Sequence, residues 1–106
     1  MQRLWGFPPV AAPGARCLIL GSMPGAVSLR HQAYYAHRQN AFWRILGALG
    51  VCDPGAPYAE RLTALARHGI ALWDVIAGCE RPGSLDADIV AESVQVNNFP
   101  AFFAAH

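Results

Sequence analysis

The sequence predicts an α/β domain in which two short parallel strands are connected through helices. Apolar runs at residues 17–20 and 70–76 have the length of buried strands, and apolar residues between them recur at helical spacing. Hydrophobic residues make up 54% of the 106-residue chain and charged residues 14%, which excludes disorder and suits strands covered on both faces. The length fits a single domain, which we assign to residues 1–106.

The first predicted strand lies between an irregular lead-in and a long loop. Residues 1–15 are rich in Pro and Gly, which interrupt regular structure. The strand at 17–20 is apolar and stops at Gly21, so we expect it to be buried at the centre of the sheet. Residues 21–40 are expected to be mostly irregular, and a long ordered loop in a small domain often carries function.

A first helix is predicted to follow this loop. Asn40 can cap its N-terminus, and Gly50 can end it. The spacing i, i+3, i+4 and i+7 defines its expected buried face: Phe42, Ile45, Leu46 and Leu49.

A second helix and a second strand complete the predicted crossover. A turn at residues 53–55 precedes an apolar stripe of Tyr58, Leu62 and Leu65, and Gly69 closes the helix. The strand follows at residues 70–76. Because helices lie between the two strands, we expect them to be parallel, with a right-handed connection.

The C-terminal part is predicted to contain a turn at residues 82–83 and two short helices. Ser84 can cap a helix over residues 86–91, and Asn98 can start another at Phe99. The chain stops at an apolar helix with no following strand. Since sheets usually have four or more strands, we expect the chain to be truncated after the second strand.

Composition disfavours several classes of protein. No apolar run approaches the ~20 residues needed to span a bilayer. The N-terminal segment lacks a continuous apolar stretch ending in a cleavage site, so neither a signal peptide nor a membrane anchor is expected. The chain has three cysteines, Cys17, Cys52 and Cys79, an odd number without CxxC spacing. We therefore expect buried or inert thiols in a reducing cytoplasm rather than a zinc site or disulfide bonds.

The net charge of +1 conceals an asymmetry between the two halves of the chain. Residues 1–50 contain five arginines and no acid, a charge of +5, whereas residues 51–106 contain three arginines and seven acids, a charge of −4. Lysine does not occur. Arginine presents a planar fork suited to phosphate, so the basic half indicates a polyanionic partner, although arginine-rich composition without function explains it equally well.

The pentapeptide GSMPG at residues 21–25 follows the first strand, where ligand-binding turns often lie. It matches neither GxGxxG nor the phosphate-binding P-loop motif. Gly21 and Gly25 permit close approach of a ligand, Pro24 stiffens the turn, and backbone N–H groups there can bind a carbonyl or an oxyanion. A plain strand-to-helix turn is the alternative explanation.

A polar, aromatic loop precedes the first helix. Tyr34 and Tyr35 lie beside His37, Arg38 and Asn40. Aromatic rings in such a loop can stack on a nucleobase or fold back onto the core. The Asn40 amide either caps the helix or offers both a carbonyl acceptor and an NH2 donor to a base edge.

Other polar residues give weaker indications. His31 and His37 have no carboxylate near them in sequence, so surface or phosphate contact is favoured over metal binding or acid–base chemistry. Asp74 ends the second strand, a position where catalytic groups occur in α/β sheets, but capping of a turn is the favoured role. Trp73 is expected to belong to the core.

Three segments together resemble the uracil-DNA glycosylase superfamily, most closely its hypoxanthine-DNA glycosylase (DNA-deoxyinosine glycosylase) branch. They are LILGSMPGAVSL at 18–29, YYAHRQNAFW at 34–43 and GIALWDVIAGCERPGSLDADI at 69–89. The resemblance implies a three-layer α/β sandwich around a short parallel sheet. It also implies a monofunctional glycosylase that removes a deaminated base from DNA, hypoxanthine first and uracil second, in base excision repair.

The resemblance further implies roles for individual residues. Asn40 matches the asparagine on which this branch is thought to rely, while Met23 stands where other branches carry a water-activating Asn or Asp. Tyr35 matches the aromatic that stacks on the flipped base. The predicted site comprises a catalytic residue, Asn40; a substrate-binding set, Gly21, Ser22, Met23, Pro24, Gly25, Tyr35 and His37; and a DNA-binding set, Ser28, Arg30 and Arg38.

The predicted chemistry needs neither a metal nor an organic cofactor. The departing base carries negative charge, which backbone N–H groups at 22–25 and the Asn40 amide can stabilise. The expected partner is DNA with a deaminated base, bound by a cytoplasmic monomer. Three alternatives stay open: a DNA-binding module that does not cleave, an inactive fragment, and a hydrolase of free nucleotides.

Overall fold

The computed structural model, which describes residues 2–106, contains two small sheets and four α-helices. The strands are β1 (Arg3–Trp5), β2 (Cys17–Gly21), β3 (Ile70–Asp74), β4 (Ile76–Glu80) and β5 (Gln95–Val96). The helices are α1 (Ala26–His31), α2 (Phe42–Ala48), α3 (Tyr58–Arg67) and α4 (Phe99–Ala105), and 3-10 turns occupy Asp86–Asp88 and Ala91–Ser93. Within this part of the chain no helix is long and apolar enough to cross a membrane.

The parallel sheet consists of β2 and β3 and confirms the predicted α/β class. Its register runs from Cys17 beside Ile70 to Gly21 beside Asp74. Helices α1 to α3 lie between the two strands in sequence, as a parallel connection requires. The carboxyl ends of both strands therefore meet at one edge, where Gly21 and Asp74 are neighbours.

The expectation that residues 17–20 form a buried central strand is wrong. Cys17 is exposed, and Leu20 keeps 45% of its surface in contact with solvent. In the described residues β2 has β3 on one side and no strand on the other. The interior strand is β3, which is buried over residues 71–74 and receives an antiparallel bridge from Val10 to Leu72.

The predicted strand at residues 70–76 divides between two sheets. β3 ends at Asp74, and the exposed Val75 separates it from β4. The Val75 N–H donates to the Gly21 carbonyl at 2.9 Å, and the Ile76 N–H donates to the Ser22 carbonyl at 3.0 Å. β4 then pairs antiparallel with β1 and with β5. Apart from Asp74, where β3 ends, the run is apolar, and apolar residues carry no signal for such a change of partner strand, which explains the error.

Helix α1 lies in the segment predicted to be mostly irregular, so that prediction is wrong for residues 26–31. The helix has six residues, which is too short to show a helical apolar period. It ends at Gln32, which adopts a left-handed conformation with φ of 52°. The rest of the loop, residues 33–40, consists of turns and bends.

Helix α2 has the predicted position but a different buried face. Trp43 and Leu46 are buried, whereas Ile45 and Leu49 are 56% and 71% exposed. The indole N–H of Trp43 donates to the Tyr34 carbonyl at 3.1 Å, which turns this side of the helix towards the core. The apolar spacing in the sequence fits both faces, so it could not distinguish them.

The predicted helix ends agree with the structure at three places. Gly50 and Gly69 follow α2 and α3 with φ of 79° and 69°, a conformation that favours glycine. The Asn98 side chain accepts a hydrogen bond from the Ala101 N–H at 3.1 Å and so caps α4.

The predicted helix over residues 86–91 is wrong. Two 3-10 turns occupy this region, and Ser84 does not cap either of them. The Ser84 hydroxyl instead accepts a hydrogen bond from the Ala26 N–H at 3.0 Å, which joins it to the start of α1. A long-range partner has thus replaced the local one that the sequence pattern indicated.

The main core lies beneath the loop that joins α1 to α2. It is built from one residue of this loop together with residues of α2, α3 and β3: Tyr34, Trp43, Leu46, Leu65 and Leu72. Trp73 is buried against Phe102, as predicted for a core residue. Of the thiols expected to be buried or inert, Cys79 is buried, Cys52 is half-buried and Cys17 is exposed, and the inertness of the exposed thiol stays a prediction.

Candidate active site

A cavity of about 260 Å³ opens at the carboxyl ends of β2 and β3. Its wall includes the turn at residues 21–25, the first residues of α1, Tyr35, Asn40 and Asp74. We call it the glycine-loop cavity. The structure therefore brings together GSMPG and the aromatic loop, which the sequence separates by about ten residues.

Asn40 lies at the mouth of helix α2 and in the wall of this cavity. Its side-chain oxygen accepts a hydrogen bond from the Phe42 N–H at 2.9 Å and so satisfies a backbone donor at the helix start, but the N-cap position itself is Ala41, one residue later than predicted. Because this oxygen is occupied, the NH2 group is the free end of the amide. Asn40 is exposed, and a ligand can reach it.

The neighbouring residues Tyr34 and Tyr35 lie in different environments, one in the core and the other in the cavity wall. Tyr34 is buried in the core, where its backbone N–H donates to the Tyr58 hydroxyl at 3.0 Å. Tyr35 is half-buried, lines the cavity and adopts a left-handed conformation with φ of 55°. Its ring stacks on Phe42 with centroids 3.8 Å apart, so Phe42 supports it from one side.

Asp74 supplies the carboxyl group in the lining of the glycine-loop cavity, and its predicted role as a turn cap is wrong. Only 5% of the residue is exposed, and its Oδ2 atom has no hydrogen-bond partner among the described residues. Burial, followed by the charge of Asp86, raises the pKa of Asp74 from 3.8 to about 6. Burial and the Asp74 charge also raise the pKa of the Tyr35 phenol, which shows how close these groups are.

Gly21 is required by the position of Asp74. A Cβ atom at residue 21 would collide with the Asp74 Oδ1 atom. The glycine therefore makes room for the carboxyl group, and this close approach is the structural reason for the first residue of GSMPG. Asp74 stands at the end of a strand, where catalytic groups occur in α/β sheets, and this position was the signal in the sequence for its place in the cavity.

The rest of the GSMPG turn is held by a segment that sequence analysis did not assign to the site, residues 81–86. The buried Arg81 donates from Nη2 to the Pro24 carbonyl at 2.8 Å and from Nε to the Gly83 carbonyl. The Ser22 hydroxyl donates to Asp86 at 2.7 Å. With the bond of Ser84, which also lines the cavity, to the start of α1, these contacts hold the turn in place.

Other predicted residues occupy distinct places. Met23 is buried against Ile76 and lines the cavity as an apolar wall. Ser28 also lines it, but its hydroxyl accepts a hydrogen bond from the Ala36 N–H at 3.1 Å within the protein. Arg30 is exposed and lies outside this cavity.

A second cavity, of about 500 Å³, adjoins the first. The two share four wall residues: Tyr34, Tyr35, His37 and Asn40. Three arginines line only the second one: Arg38, Arg44 and Arg61. We call it the arginine cavity. Arg38 thus lines a different cavity from the GSMPG turn, while Tyr35 and His37 of the predicted substrate-binding set belong to both cavities.

The two cavities differ in their chemistry. The glycine-loop cavity offers a buried carboxyl group, a free amide NH2 group and the backbone of a glycine turn, which suits hydrogen bonding to a flat polar ring. Within residues 2–106, no three His, Cys, Asp or Glu side chains come together to hold a metal ion.

Comparisons with known proteins agree with this geometry. The family model for the uracil DNA glycosylase superfamily matches residues 8–101. Hypoxanthine DNA glycosylases from Methanosarcina barkeri and Methanosarcina acetivorans are 45% and 40% identical to this chain over 95 residues, which is 89% of it. The chain spans 59% of the length of these relatives.

A solved structure extends the comparison to the fold. The solution structure of a candidate uracil DNA glycosylase from Methanosarcina acetivorans superposes with a TM-score of 0.82 at 36% sequence identity. The match covers 97% of this chain and 63% of the solved one. The chain therefore belongs to the uracil-DNA glycosylase superfamily.

Proposed function

We propose that this protein removes deaminated bases, hypoxanthine first and uracil second, from DNA by hydrolysing the N-glycosidic bond. Family membership and the names of the two archaeal relatives support this activity. Because the chain spans 59% of those relatives, the activity of the whole relative is carried over here as a proposal. The shape and chemistry of the glycine-loop cavity support it independently.

The observation that carries the proposal is the pairing of Asn40 with Asp74 in the same cavity. Asn40 has a free NH2 donor, and Asp74 has an unpartnered carboxylate oxygen, which is an acceptor. Deamination converts an amino-substituted ring edge into a carbonyl beside an N–H group. Hypoxanthine and uracil both carry this edge, as guanine and thymine do, and one donor and one acceptor are complementary to it. Adenine presents the opposite pattern, an amino donor beside a ring acceptor.

The size of the cavity favours a single base. Its volume of about 260 Å³ lies just below the range of about 300–1,000 Å³ that is typical of pockets for drug-sized ligands. An enzyme acting on a base within DNA must first extrude the nucleotide and hold the base by stacking and edge contacts. Tyr35, supported from behind by Phe42, supplies an aromatic ring in the cavity wall.

The bond cleavage requires stabilisation of the departing base. When the bond between the sugar C1′ and the base nitrogen breaks, its electron pair leaves with the base, and water adds to C1′ and releases a proton. Donors aimed at the base lower the energy of this charge. The Asn40 NH2 group and the N–H groups of the GSMPG turn are such donors, whereas the thioether of Met23 cannot activate water.

Two substitutions at Asn40 test this role and separate it from helix capping. Asn40→Asp keeps an oxygen for the Phe42 N–H but removes the NH2 donor, whereas Asn40→Ala removes both. We expect both variants to lose release of free hypoxanthine from an inosine-containing duplex. Only Asn40→Ala should also lose thermal stability, by about 1 kcal/mol. Full activity of Asn40→Asp would falsify the assigned role of the amide.

Binding of damaged DNA without cleavage is the second candidate function. It is favoured by the charge of residues 1–50, which contain five arginines and no acid and so suit a polyanion whether or not a bond is cleaved. A shift of an inosine-containing strand in a binding assay, with no free base found by chromatography, would select this function. Release of free base selects the glycosylase.

A further inference from the structure

We propose that the arginine cavity binds the phosphates of the DNA strand next to the extruded nucleotide, with Arg44 and Arg61 as its main contacts. This inference rests on the proposed function, since it takes the glycine-loop cavity as the site of the base. It adds Arg44 and Arg61, which have no role in the set predicted from the sequence, to Arg38, which that set already assigns to DNA binding.

The position of the arginine cavity is the first argument. It shares Tyr35, His37 and Asn40 with the glycine-loop cavity, so the two open on either side of one wall. A nucleotide whose base lies in the glycine-loop cavity has its sugar and phosphates outside it. The adjoining cavity is therefore a path for the backbone of the same strand.

The charge of the lining is the second argument. Arg38, Arg44 and Arg61 all line the arginine cavity, together with His31. Among the described residues its lining includes no Asp or Glu, although the C-terminal half of the chain carries seven acids. Guanidinium groups bind phosphate through two parallel N–H bonds, so the residue type also matches the ligand.

The way Arg61 is held is the third argument. Its guanidinium carbon lies 4.6 Å from the centre of the Trp43 ring and 5.4 Å from that of Tyr58. Its Nε atom donates to the Ala56 carbonyl at 3.0 Å. These contacts fix the plane of the group and do not use its two NH2 groups, which are the ends that a phosphate needs. Fixing the side chain in advance reduces the entropy lost when a ligand binds.

The dimensions favour a strand over a single phosphate. The cavity holds about 500 Å³, roughly twice the volume of its neighbour, and three arginines are distributed around it. A mononucleotide brings one phosphate to the cavity. A strand brings several phosphates, which can contact several arginines at once. We therefore assign a polynucleotide strand, rather than a mononucleotide, to this cavity.

The test compares charge-removing variants that differ in position. Arg61→Gln and Arg44→Gln remove arginines of the cavity, and Arg67→Gln removes an exposed arginine from the last turn of the same helix as Arg61. The dissociation constant for an inosine-containing single strand is measured over a range of salt concentrations. We expect each cavity variant to weaken binding about tenfold and to lower the slope of log K against log salt by about 1. Arg67→Gln should match the parent.

Two controls keep the outcome interpretable. Arg44 is exposed, so its variant tests the cavity even if loss of the Arg61 contacts unfolds the protein. Deoxyinosine monophosphate should compete at least a hundredfold more weakly than the strand if several phosphates are bound. Equal competition by the mononucleotide would overturn the proposal, as would cavity variants that bind like Arg67→Gln.

The result is independent of whether the base is released. If the parent binds DNA in an Arg44-dependent manner but releases no base, the proposed function fails and the phosphate site stands. If the parent releases base and both cavity variants keep the parent affinity and salt slope, the phosphate site fails and the proposed function stands.

Discussion

The two adjoining cavities share four wall residues and yet are chemically opposite. The glycine-loop cavity contains a buried carboxyl group and a backbone turn fixed by residues 81–86. The arginine cavity is about twice as large and is lined by three arginines. The difference fits the proposed division of labour, in which the first cavity takes the base and the second takes the phosphates of the strand. Substitutions in one cavity should therefore leave the task of the other intact.

The largest expected effect comes from the ionisation of Asp74. Because its pKa is about 6 in the fold and 3.8 in the unfolded chain, the folded state binds the proton more tightly. The free energy of unfolding should thus fall as pH rises from about 4 to 6 and stay constant above, by up to about 3 kcal/mol. Asp74→Asn should abolish this fall and stabilise the protein at pH 8, as urea unfolding across that pH range can measure.

The pH dependence of unfolding also distinguishes Asp74 from the residues of the arginine cavity. No arginine variant there should change the pH dependence of unfolding between pH 4 and 6. A parent protein whose stability is flat over this interval would contradict the burial of an ionisable carboxyl group in the glycine-loop cavity.

Arg81 should affect the chemistry of the site through the turn that it holds. Arg81→Leu removes the bonds to the Pro24 and Gly83 carbonyls, so the turn is free to move away from the base. Misplacement of reactive groups by about 1 Å can lower a rate by about 10²-fold. We expect a loss of that size in single-turnover release of hypoxanthine, with the salt dependence of DNA binding unchanged. A parallel loss of affinity would show that the two cavities are not separable.

Gly21→Ala should introduce a methyl group against the Asp74 carboxyl group. Overpacking of this kind destabilises by about 1–3 kcal/mol, and here it also moves the acceptor of the cavity. Gly25→Ala is the matched control, because a Cβ atom there meets no atom within 4 Å. Thermal melting of both variants should show a loss for Gly21→Ala only, and equal melting temperatures would refute the crowding.

The smallest effect is expected from substitution of Phe42, whose ring stacks on that of Tyr35. Phe42→Leu removes the aromatic support of Tyr35, an interaction worth about 0.5–1.5 kcal/mol. Affinity for an inosine-containing strand should fall by about threefold to tenfold, because the ring is less firmly placed against the base. The control is Leu49→Gln, an exposed change on the same helix, which should leave affinity unchanged.

The sequence predicted the parts of the site that depend on local order along the chain. Three such features follow from nearby residues: the strand ending at Gly21, the bond of Asn40 to the start of α2, and the glycines that end α2 and α3. The α/β class followed from strands and helices that alternate along the chain. The family resemblance then connected these parts to a function.

The sequence could not predict features that depend on contacts between distant residues. The carboxyl group of Asp74 enters the cavity because β3 lies beside β2, and Arg81 reaches Pro24 across 57 positions. Arg61 is recognisable as part of a cavity only after α3 has packed near α2. The exposed face of α2 was mispredicted for the same reason, since Ile45 and Leu46 are equally apolar and tertiary packing chose between them.

The central claim is that Asp74 and Asn40 together recognise the edge that deamination creates. The most direct measurement is single-turnover base release at pH 7.5 from strands containing inosine, uracil or adenine, by the parent and by Asp74→Asn. We predict release from inosine and uracil but not from adenine by the parent, and a loss of at least tenfold for Asp74→Asn although that variant is the more stable protein. Release of adenine at the rate of hypoxanthine, or an Asp74→Asn variant with the parent rate, would contradict the claim.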